Sequence, residues 1–247
     1  MQVLRGKVTA ALEGRTATRP PPRLGPATRE ILLRHQRHSG RRHHKERKTV
    51  TNQEPFARFI RSVEAMREEG QAEAPLVRAV AGALAELLEE HVWLRPEHTQ
   101  GFPDRYRQHV VHVAPDGAFS VVALVWLPGQ KTPIHDHVTW CVVGVYDGEE
   151  EEIRYRLYED GERRFLVPEG SQKTQPGQVT TLVPPEEDIH QVSNVGKGKA
   201  ISIHVYGADI GKLGSSINRT FGHLPILPFP GGARRVRWSR PSVPGAA

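Results

Sequence analysis

Two stretches between residues 55 and 88 repeat their apolar positions every three or four residues. The apolar positions of the first stretch are Phe56, Phe59, Ile60, Val63 and Met66. Those of the second, which begins after Gly70, are Leu76, Val77, Val80, Leu84, Leu87 and Leu88. This spacing places each set on one face of a helix. The pattern therefore predicts two amphipathic helices.

Beyond residue 106 the pattern changes to short runs rich in valine, isoleucine and aromatic residues. The runs cover residues 107–113, 119–127, 139–147, 152–158, 178–183 and 200–206. Glycine-containing turn sequences such as Pro115-Asp116-Gly117 and Asp147-Gly148 separate them. Short strands at this spacing are typical of a β-sandwich or a β-barrel.

These patterns divide the chain into four parts. Residues 1–53 form a basic leader that we expect to be disordered, because it is polar and interrupted by prolines. Residues 54–100 form a helical segment that we expect to pack on the barrel. Residues 101–223 form the barrel itself. Residues 224–247 form a tail rich in proline and glycine.

The basic character of the chain is confined to the leader. The whole chain has a net charge of +6, whereas residues 1–50 carry +10 and the rest carries −4. A basic arm can bind phosphate backbones without sequence preference. The alternatives are a solvated extension or a start codon assigned too far upstream. We favour these alternatives and expect no nucleic-acid partner.

The single cysteine, Cys141, excludes an intrachain disulfide and is consistent with a reducing compartment. No apolar run approaches the roughly 20 residues that a membrane span needs, and the N-terminus lacks the apolar stretch of a signal peptide. We therefore expect a cytoplasmic protein, without membrane contact, that is a monomer or a small homo-oligomer.

A histidine pair lies within the predicted barrel. Because strand side chains alternate, His135 and His137 would share one face, about 7 Å apart at the backbone, and both could reach one metal ion. That face could point into the barrel or to solvent. A third histidine, His190, lies in a later β region four residues before Asn194. We predict a three-histidine metal site.

This arrangement resembles the two sequence motifs of cupins. The first motif extends from Gly129 to Gly148 and includes the histidine pair, and the second extends from Pro184 to Asn194. Two residues depart from it. Cys141 stands where many cupins have a glutamate ligand, and Glu186 replaces a glycine. Three neutral imidazoles would leave the full 2+ charge on a bound Fe(II), which would attract a thiolate and keep positions open for O₂.

Three further segments are similar to the thiol dioxygenases, the cupin family of cysteine dioxygenase and 3-mercaptopropionate dioxygenase. They are Tyr106-Arg107-Gln108, the run 119–126, and Ser202-Ile203-His204-Val205-Tyr206. The similarity extends over about residues 55–221. It implies a mainly β fold, the cupin double-stranded β-helix or jelly-roll barrel. It also implies an Fe(II) enzyme that converts a small thiol and O₂ into a sulfinic acid.

The resemblance gives the residues individual roles. His135, His137 and His190 would hold Fe(II). Tyr206 would lie beside the iron and help to position O₂, with His204 bonded to Tyr206 and Ser202 orienting His204. A strand places residues 202, 204 and 206 on one face, as such a row requires. The alternative is that they are ordinary inward-facing barrel residues.

The resemblance also bears on the substrate. Cysteine dioxygenases of the mammalian kind have an arginine at the position of Gln108, whereas the bacterial 3-mercaptopropionate type has glutamine. Glutamine offers neutral hydrogen bonds instead of a fixed cation, and this difference favours a simple thiol acid as the substrate. Tyr106 is assigned to the same substrate site, and Arg219 is a candidate for the missing positive charge.

Cys141 has a second interpretation. Cysteine-specific members of the family link a cysteine to the relay tyrosine through a thioether, and Cys141 falls near that cysteine's place. A Cys141–Tyr206 crosslink is therefore a hypothesis. The alternative is a small buried apolar residue, which is how free cysteine usually behaves.

Two other functions remain open. The first is a different metal cupin, either an isomerase or a dioxygenase of a non-thiol substrate, which would not need the row at 202–206. The second is a non-catalytic cupin that acts as a sensor or binding module, with the basic leader as a docking arm. The metal also stays open, because imidazole binds several divalent ions besides iron.

Overall fold

A computed structural model describes residues 52–90, 92–185 and 188–228, and the backbone of residues 234–235. Most of the predicted leader, 1–53, lies outside the described residues, as does most of the predicted tail, 224–247. Glu186, the departure from the second cupin motif, also lies outside them.

Both predicted helices are confirmed. Helix α1 spans Glu54–Glu68 and helix α2 spans Glu73–Leu88. The apolar face of α1 buries Phe59, Ile60 and Val63, and that of α2 buries a longer set of valines and leucines. A short 3₁₀ helix, Pro96–Thr99, leads from the helices toward the strands. No helix among the described residues combines the length and the apolar content of a membrane span.

Eleven strands and one short helix follow in the described part of the chain. In chain order they are β1 (Arg107–Val113), β2 (Ser120–Trp126), β3 (His135–His137), β4 (Cys141–Asp147), β5 (Glu150–Asp160), β6 (Arg163–Thr174), β7 (Val179–Leu182), β8 (His190–Asn194), β9 (Ala200–Tyr206), α3 (Ile210–Leu213), β10 (Ile217–Thr220) and β11 (Arg234–Arg235). The predicted strands 107–113 and 200–206 have the predicted bounds, and the other four overlap observed strands.

The strands form two antiparallel sheets. The first has the order β1-β2-β9-β4-β7, and the second has the order β10-β3-β8-β5-β11, with β6 also paired to β5. Together they form the double-stranded β-helix of the cupins, as predicted. β5 and β6 pair along their whole lengths, yet β6 escaped prediction. It is mostly exposed and polar, and it contains Pro168 and Gly170, which are typical of loops.

Alternating side chains give the first sheet two different faces. On β2, Val121, Ala123 and Val125 pack into a cluster with the two helices. Val122, Leu124 and Trp126 point to the opposite face and pack with Cys141 and Tyr206 inside the barrel. The helices therefore cover the outer face of the sheet, and the inner face is left to build a site.

Gly148 allows β4 to turn into β5, the strand that carries two of the buried acidic groups described below, Glu150 and Glu152. Its φ is +79°, in the left-handed region. A Cβ atom at this position would lie 2.6 Å from the Cα of Ala200 and 2.7 Å from the carbonyl oxygen of Lys199. The close approach is to backbone, which cannot rotate away.

Gly148→Ala should therefore lower the free energy of unfolding more than an alanine substitution at a positive φ that causes no steric clash. The matched control is Gly161→Ala, where φ is +58° but nothing lies within 4 Å of the added Cβ. We expect about 1 kcal/mol for the control and a further ~1–3 kcal/mol for Gly148→Ala. Urea unfolding of both variants measures the difference, and equal losses would contradict this account.

Candidate metal centre

Three buried histidines meet inside the barrel. His135 and His137 lie on β3 and His190 lies on β8, directly opposite His135 in the strand register. The three ring centroids are 4.7, 4.7 and 4.9 Å apart. The pair therefore faces the interior of the barrel, and the predicted third histidine joins it.

Each imidazole has its Nδ1 atom engaged by a fixed partner. Nδ1 of His135 lies 2.9 Å from the carbonyl oxygen of Pro133, which can only accept. Nδ1 of His137 lies 2.7 Å from Asp188, and Nδ1 of His190 lies 2.7 Å from Glu152. Donation from Nδ1–H in all three rings leaves each Nε2 with a free lone pair.

The donor set fits a divalent metal ion. One nitrogen from each ring lies within 4.8 Å of the others. Metal–nitrogen bonds of about 2.1 Å allow donor–donor separations of up to about 4.2 Å. Ring movements of a few tenths of an ångström would therefore close the site around an ion.

Burial favours the neutral form of His135 and His190, the form that binds a metal. Burial, and then the neighbouring His190 and His137, lower the pKa of His135 to about 2. Burial lowers the pKa of His190 well below its usual value as well. Protons therefore do not compete with a metal for these rings at neutral pH.

Two buried carboxyl groups stand behind the ligands, and both are additions to the predicted site. Asp188 binds the backbone N–H of His137 as well as its Nδ1, and Glu152 also pairs with Arg154. Burial raises the pKa of Asp188, and the hydrogen bonds from His137 oppose that rise. Both carboxyls are hydrogen-bonded directly to ligand rings. The three histidines remain the candidate ligands, and the two carboxyls support two of them from behind.

A polar row on β9 approaches the histidines from the other sheet. Tyr206 Oη lies 3.1 Å from His204 Nδ1, and His204 Nε2 lies 2.9 Å from Ser202 Oγ. The indole N–H of Trp126 donates to Ser202 Oγ at 3.1 Å. The ring of Tyr206 lies 6.4 Å from that of His137, so the row ends beside the three histidines.

Cys141 lies directly opposite Tyr206 in the register of β4 and β9. Its thiol is buried beside the Tyr206 side chain and lies 3.8 Å from His204 Nδ1. Burial raises the pKa of both the Cys141 thiol and the Tyr206 phenol well above their usual values. The two side chains are therefore adjacent, and burial favours the neutral form of each.

The predicted substrate residues Tyr106 and Gln108 line one cleft. The cleft has a volume of about 690 Å³ and includes Phe102, Arg105, Arg107 and Gly214 in its walls. Tyr106 stacks on Trp126 with ring centroids 4.5 Å apart and packs in the same cluster as Tyr206. Tyr106 therefore connects the cleft to the barrel interior, and Gln108 is exposed at the cleft wall.

Arg219 occupies a different place from the one its charge suggested. Its backbone N–H and its guanidinium both donate to the carboxylate of Asp136. Asp136 alternates with His135 and His137 on β3, so its side chain lies on the face away from the histidines. Arg219 lies opposite Asp136 in the register of β10. The guanidinium is engaged there, and Arg219 is left out of the substrate site proposed below.

The predictions missed Glu150, Glu152 and Asp188, all of which are buried. The run of four glutamates from residue 149 to 152 has the appearance of a solvated charge cluster. The available signal was the alternation of side-chain direction along a strand, which places residues 150 and 152 on the same face. Asp188 precedes β8 by two residues and gave no comparable signal.

Comparison with known families gives one match across most of the described chain. A family model described as cysteine dioxygenase type I matches residues 46–213. This range includes the three histidines, the row on β9 and both helices.

Solved structures give more distant matches. One is an uncharacterized conserved protein with a double-stranded β-helix domain from Klebsiella pneumoniae, with 20% identity, a TM-score of 0.35, and 46% of this chain and 85% of that chain covered. Another is TT1209 from Thermus thermophilus, with 18% identity, a TM-score of 0.34, and coverage of 45% and 91%. A third is a Cupin 2 conserved barrel domain protein from Salinispora arenicola, with 20% identity, a TM-score of 0.33, and coverage of 46% and 86%.

Asp188→Asn and Glu152→Gln should each weaken divalent metal binding. The amide oxygen still accepts from Nδ1–H, but the negative charge that increases the basicity of the ring is lost. We expect a decrease in affinity of about 10–100-fold, measured by competition with a chromophoric chelator. Glu151→Gln is the control, because it removes the same charge from the opposite face of β5. Unchanged affinity in both variants would contradict a supporting role for these carboxyls.

Proposed function

The chain belongs to the cysteine dioxygenase type I family, and on that premise we propose that it is a non-haem iron thiol dioxygenase. The reaction would convert a small thiol and O₂ into the corresponding sulfinic acid. One observation carries the proposal: the buried three-histidine group and the Ser202–His204–Tyr206 row meet inside one barrel. A metal-binding cupin with another reaction has no need of that row.

Fe(II) is the metal in this proposal, held by the Nε2 atoms of His135, His137 and His190. Imidazole nitrogens are suitable ligands for iron, although they also bind nickel, copper and zinc. The iron, when bound, supplies the open positions and the redox chemistry that bring a thiolate and O₂ together. Asp188 and Glu152 orient two of the rings and offset part of the metal charge.

The row on β9 prepares the group that meets the substrate. Ser202 holds Nε2 of His204, and Nδ1 of His204 holds the hydroxyl of Tyr206. The row leaves the phenol with a defined position and direction at the edge of the metal site. Tyr206 is therefore the hydroxyl that orients O₂ and the thiol, while His204 and Ser202 are positioning residues.

The substrate is a small thiol acid held in the cleft of Tyr106 and Gln108. Gln108 contributes neutral hydrogen bonds, which favours 3-mercaptopropionate over cysteine. Because the guanidinium of Arg219 is bonded to Asp136, another residue must provide the positive charge that binds the substrate carboxylate. Arg105 and Arg107 line the same cleft as Gln108 and are the nearest candidates.

An oxygen-electrode assay tests this function. Protein loaded anaerobically with Fe(II) should consume O₂ with 3-mercaptopropionate and cysteine, in that order of preference, and less with cysteamine, which lacks a carboxylate. Mass spectrometry should identify the sulfinic acid as the product. Tyr206→Phe should reduce kcat by about 10–100-fold with little change in iron content, because the hydroxyl acts beside the metal and does not bind it.

The same assay separates the alternatives. Metal binding without O₂ uptake on any of the three thiols would contradict the proposal. It would favour a non-catalytic metal-binding cupin, or an enzyme that acts on a non-thiol substrate. Normal activity after deletion of residues 1–50 would exclude the basic leader from catalysis.

A thioether between Cys141 and Tyr206 is a further part of the proposal. The pairing of the two residues across β4 and β9, within one buried cluster, supports it. Bond formation joins sulfur to a ring carbon with O₂ as oxidant and removes two hydrogens. Intact-mass and peptide mapping of turned-over, iron-loaded protein should show that loss, and Cys141→Ser should abolish it. An unchanged mass after many turnovers would rule the link out.

A further inference from the structure

The polar row on β9 does not end at Ser202. The side chain of Glu150, on β5 of the opposite sheet, lies near Ser202 and the indole of Trp126, and both polar groups lower the pKa of its carboxyl. Glu150 is 3% exposed, so it is a carboxyl group inside the barrel. Tyr206, His204 and Ser202 are hydrogen-bonded in sequence, and Glu150 extends this row beyond Ser202.

Glu150 differs from the other two buried carboxyl groups near the histidines. Asp188 and Glu152 are both bonded to a histidine ring. One oxygen of Glu150, Oε1, has no hydrogen-bond partner among the described residues. A buried carboxylate with a free oxygen is costly, so a structural role alone gives no reason to have Glu150 there.

The surroundings of Glu150 make it responsive to protons. The titratable groups that line the same small cavity are Glu152 on its own strand and His190 on β8. The titratable group reached through Ser202 is His204 on β9. Burial first, and then repulsion by Glu152, raise the pKa of Glu150 to about 7, while the hydrogen bonds from Ser202 and Trp126 oppose the rise.

The proposed reaction produces a proton that the site must remove. A thiol reacts as its thiolate, and a sulfinic acid is ionised at neutral pH, so each turnover of thiol and O₂ to sulfinate releases one proton. The groups nearest the metal are poor acceptors. Burial lowers the pKa of His204 well below its usual value, so this ring passes a proton on more readily than it stores one.

We propose that Glu150 is the terminal proton acceptor of the row, and that the row carries the substrate's thiol proton from Tyr206 to Glu150. This inference rests on the proposed thiol dioxygenase function. It adds a fourth member to the row and assigns a direction to the proton movement. Glu150 does not touch the substrate, and it acts through Ser202 and His204.

The transfer balances along the chain of hydrogen bonds. The thiol gives its proton to Tyr206 Oη as Tyr206 gives its own to Nδ1 of His204. Nε2–H of His204 passes to Ser202 Oγ, and the hydroxyl proton of Ser202 passes to the Glu150 carboxylate. The result is a thiolate and a neutral carboxylic acid. Tyr206 and Ser202 are unchanged, and His204 has exchanged one neutral tautomer for the other.

The cavity beside Glu150 gives the proton a way out. Its volume is about 10 Å³, close to the smallest space that admits one water molecule. The hydroxyls of Thr174 and Thr180 are among its lining groups, and Thr180 is half-buried at the edge of the first sheet. Release of the proton through this cavity returns Glu150 to its carboxylate form for the next turnover.

Glu150→Gln tests the proposal, because it keeps the shape and the hydrogen-bonding capacity of the side chain but cannot accept a proton. In full-length, iron-loaded protein we expect kcat to fall by at least about tenfold, with KM for the thiol and the iron content unchanged within about twofold. The wild-type kcat should decline as the pH falls through about 7, because a protonated Glu150 cannot accept. That decline should be absent in Glu150→Gln.

Two further variants separate this role from a structural one. Glu151→Gln, which removes a carboxylate from the outer face of β5, should retain the wild-type kcat and pH profile. Ser202→Ala interrupts the row and keeps Glu150, so its kcat should fall as in Glu150→Gln. The double variant should be no slower than either single variant, because both changes break one path. Additive losses would overturn the proposed path.

A measurement without turnover reports on Glu150 directly. Infrared difference spectra of metal-free protein should show the carbonyl stretch of a buried carboxylic acid that disappears as the pH rises through about 7. The band should be missing in Glu150→Gln and present in Glu151→Gln and Ser202→Ala. Its persistence in Glu150→Gln would overturn the assignment, as would a Glu150→Gln enzyme with wild-type kcat and pH profile.

The two proposals fail in different ways. A wild-type protein that consumes no O₂ with any thiol would overturn the thiol dioxygenase function, and with it the origin of the proton. An active wild-type enzyme whose Glu150→Gln variant is indistinguishable from it would overturn the role of Glu150 and leave the function intact.

Discussion

The site depends on one constraint: three imidazoles can share a metal only if each has its second nitrogen held elsewhere. The holding partners are the carbonyl of Pro133 and the carboxyls of Asp188 and Glu152. They come from three separate parts of the chain, which only the closed barrel brings together. Side-chain direction and tautomer are thus fixed by the fold before any ion arrives.

Those same partners explain how the barrel tolerates acidic groups in its interior. Burying a carboxylate is unfavourable unless it is paired and hydrogen-bonded. Asp188 is hydrogen-bonded to His137, and Glu152 is hydrogen-bonded to His190 and paired with Arg154. A divalent ion bound on the far side of the rings would add further compensating charge. Metal binding and the stability of this part of the barrel are therefore expected to be coupled.

The ligands and the row on β9 were predictable because strand alternation is a local property. Residues two apart share a face whatever the rest of the chain does. Glu150 and Glu152 were not found, because whether an acidic run faces inward depends on the pairing of β5 with β8. Arg219 was chosen for its charge alone, and the register of β10 against β3 gives that charge to Asp136. Long-range register, more than residue type, limited what could be predicted.

The two sheets divide the chemistry between them. The second sheet provides the three metal ligands on β3 and β8, and the first sheet provides the row on β9. His190 lies opposite Arg154 on β5, whereas Glu150 lies opposite Asn194, four residues along the strand. Four residues of strand span about 13 Å. The side chain of Glu150 nevertheless lines the same small cavity as that of His190, and it approaches the row at Ser202, the end opposite Tyr206. A proton that moves from Tyr206 to Glu150 would leave the thiol for the other end of the row. That separation is what a row of four side chains can provide and a single base beside the metal cannot.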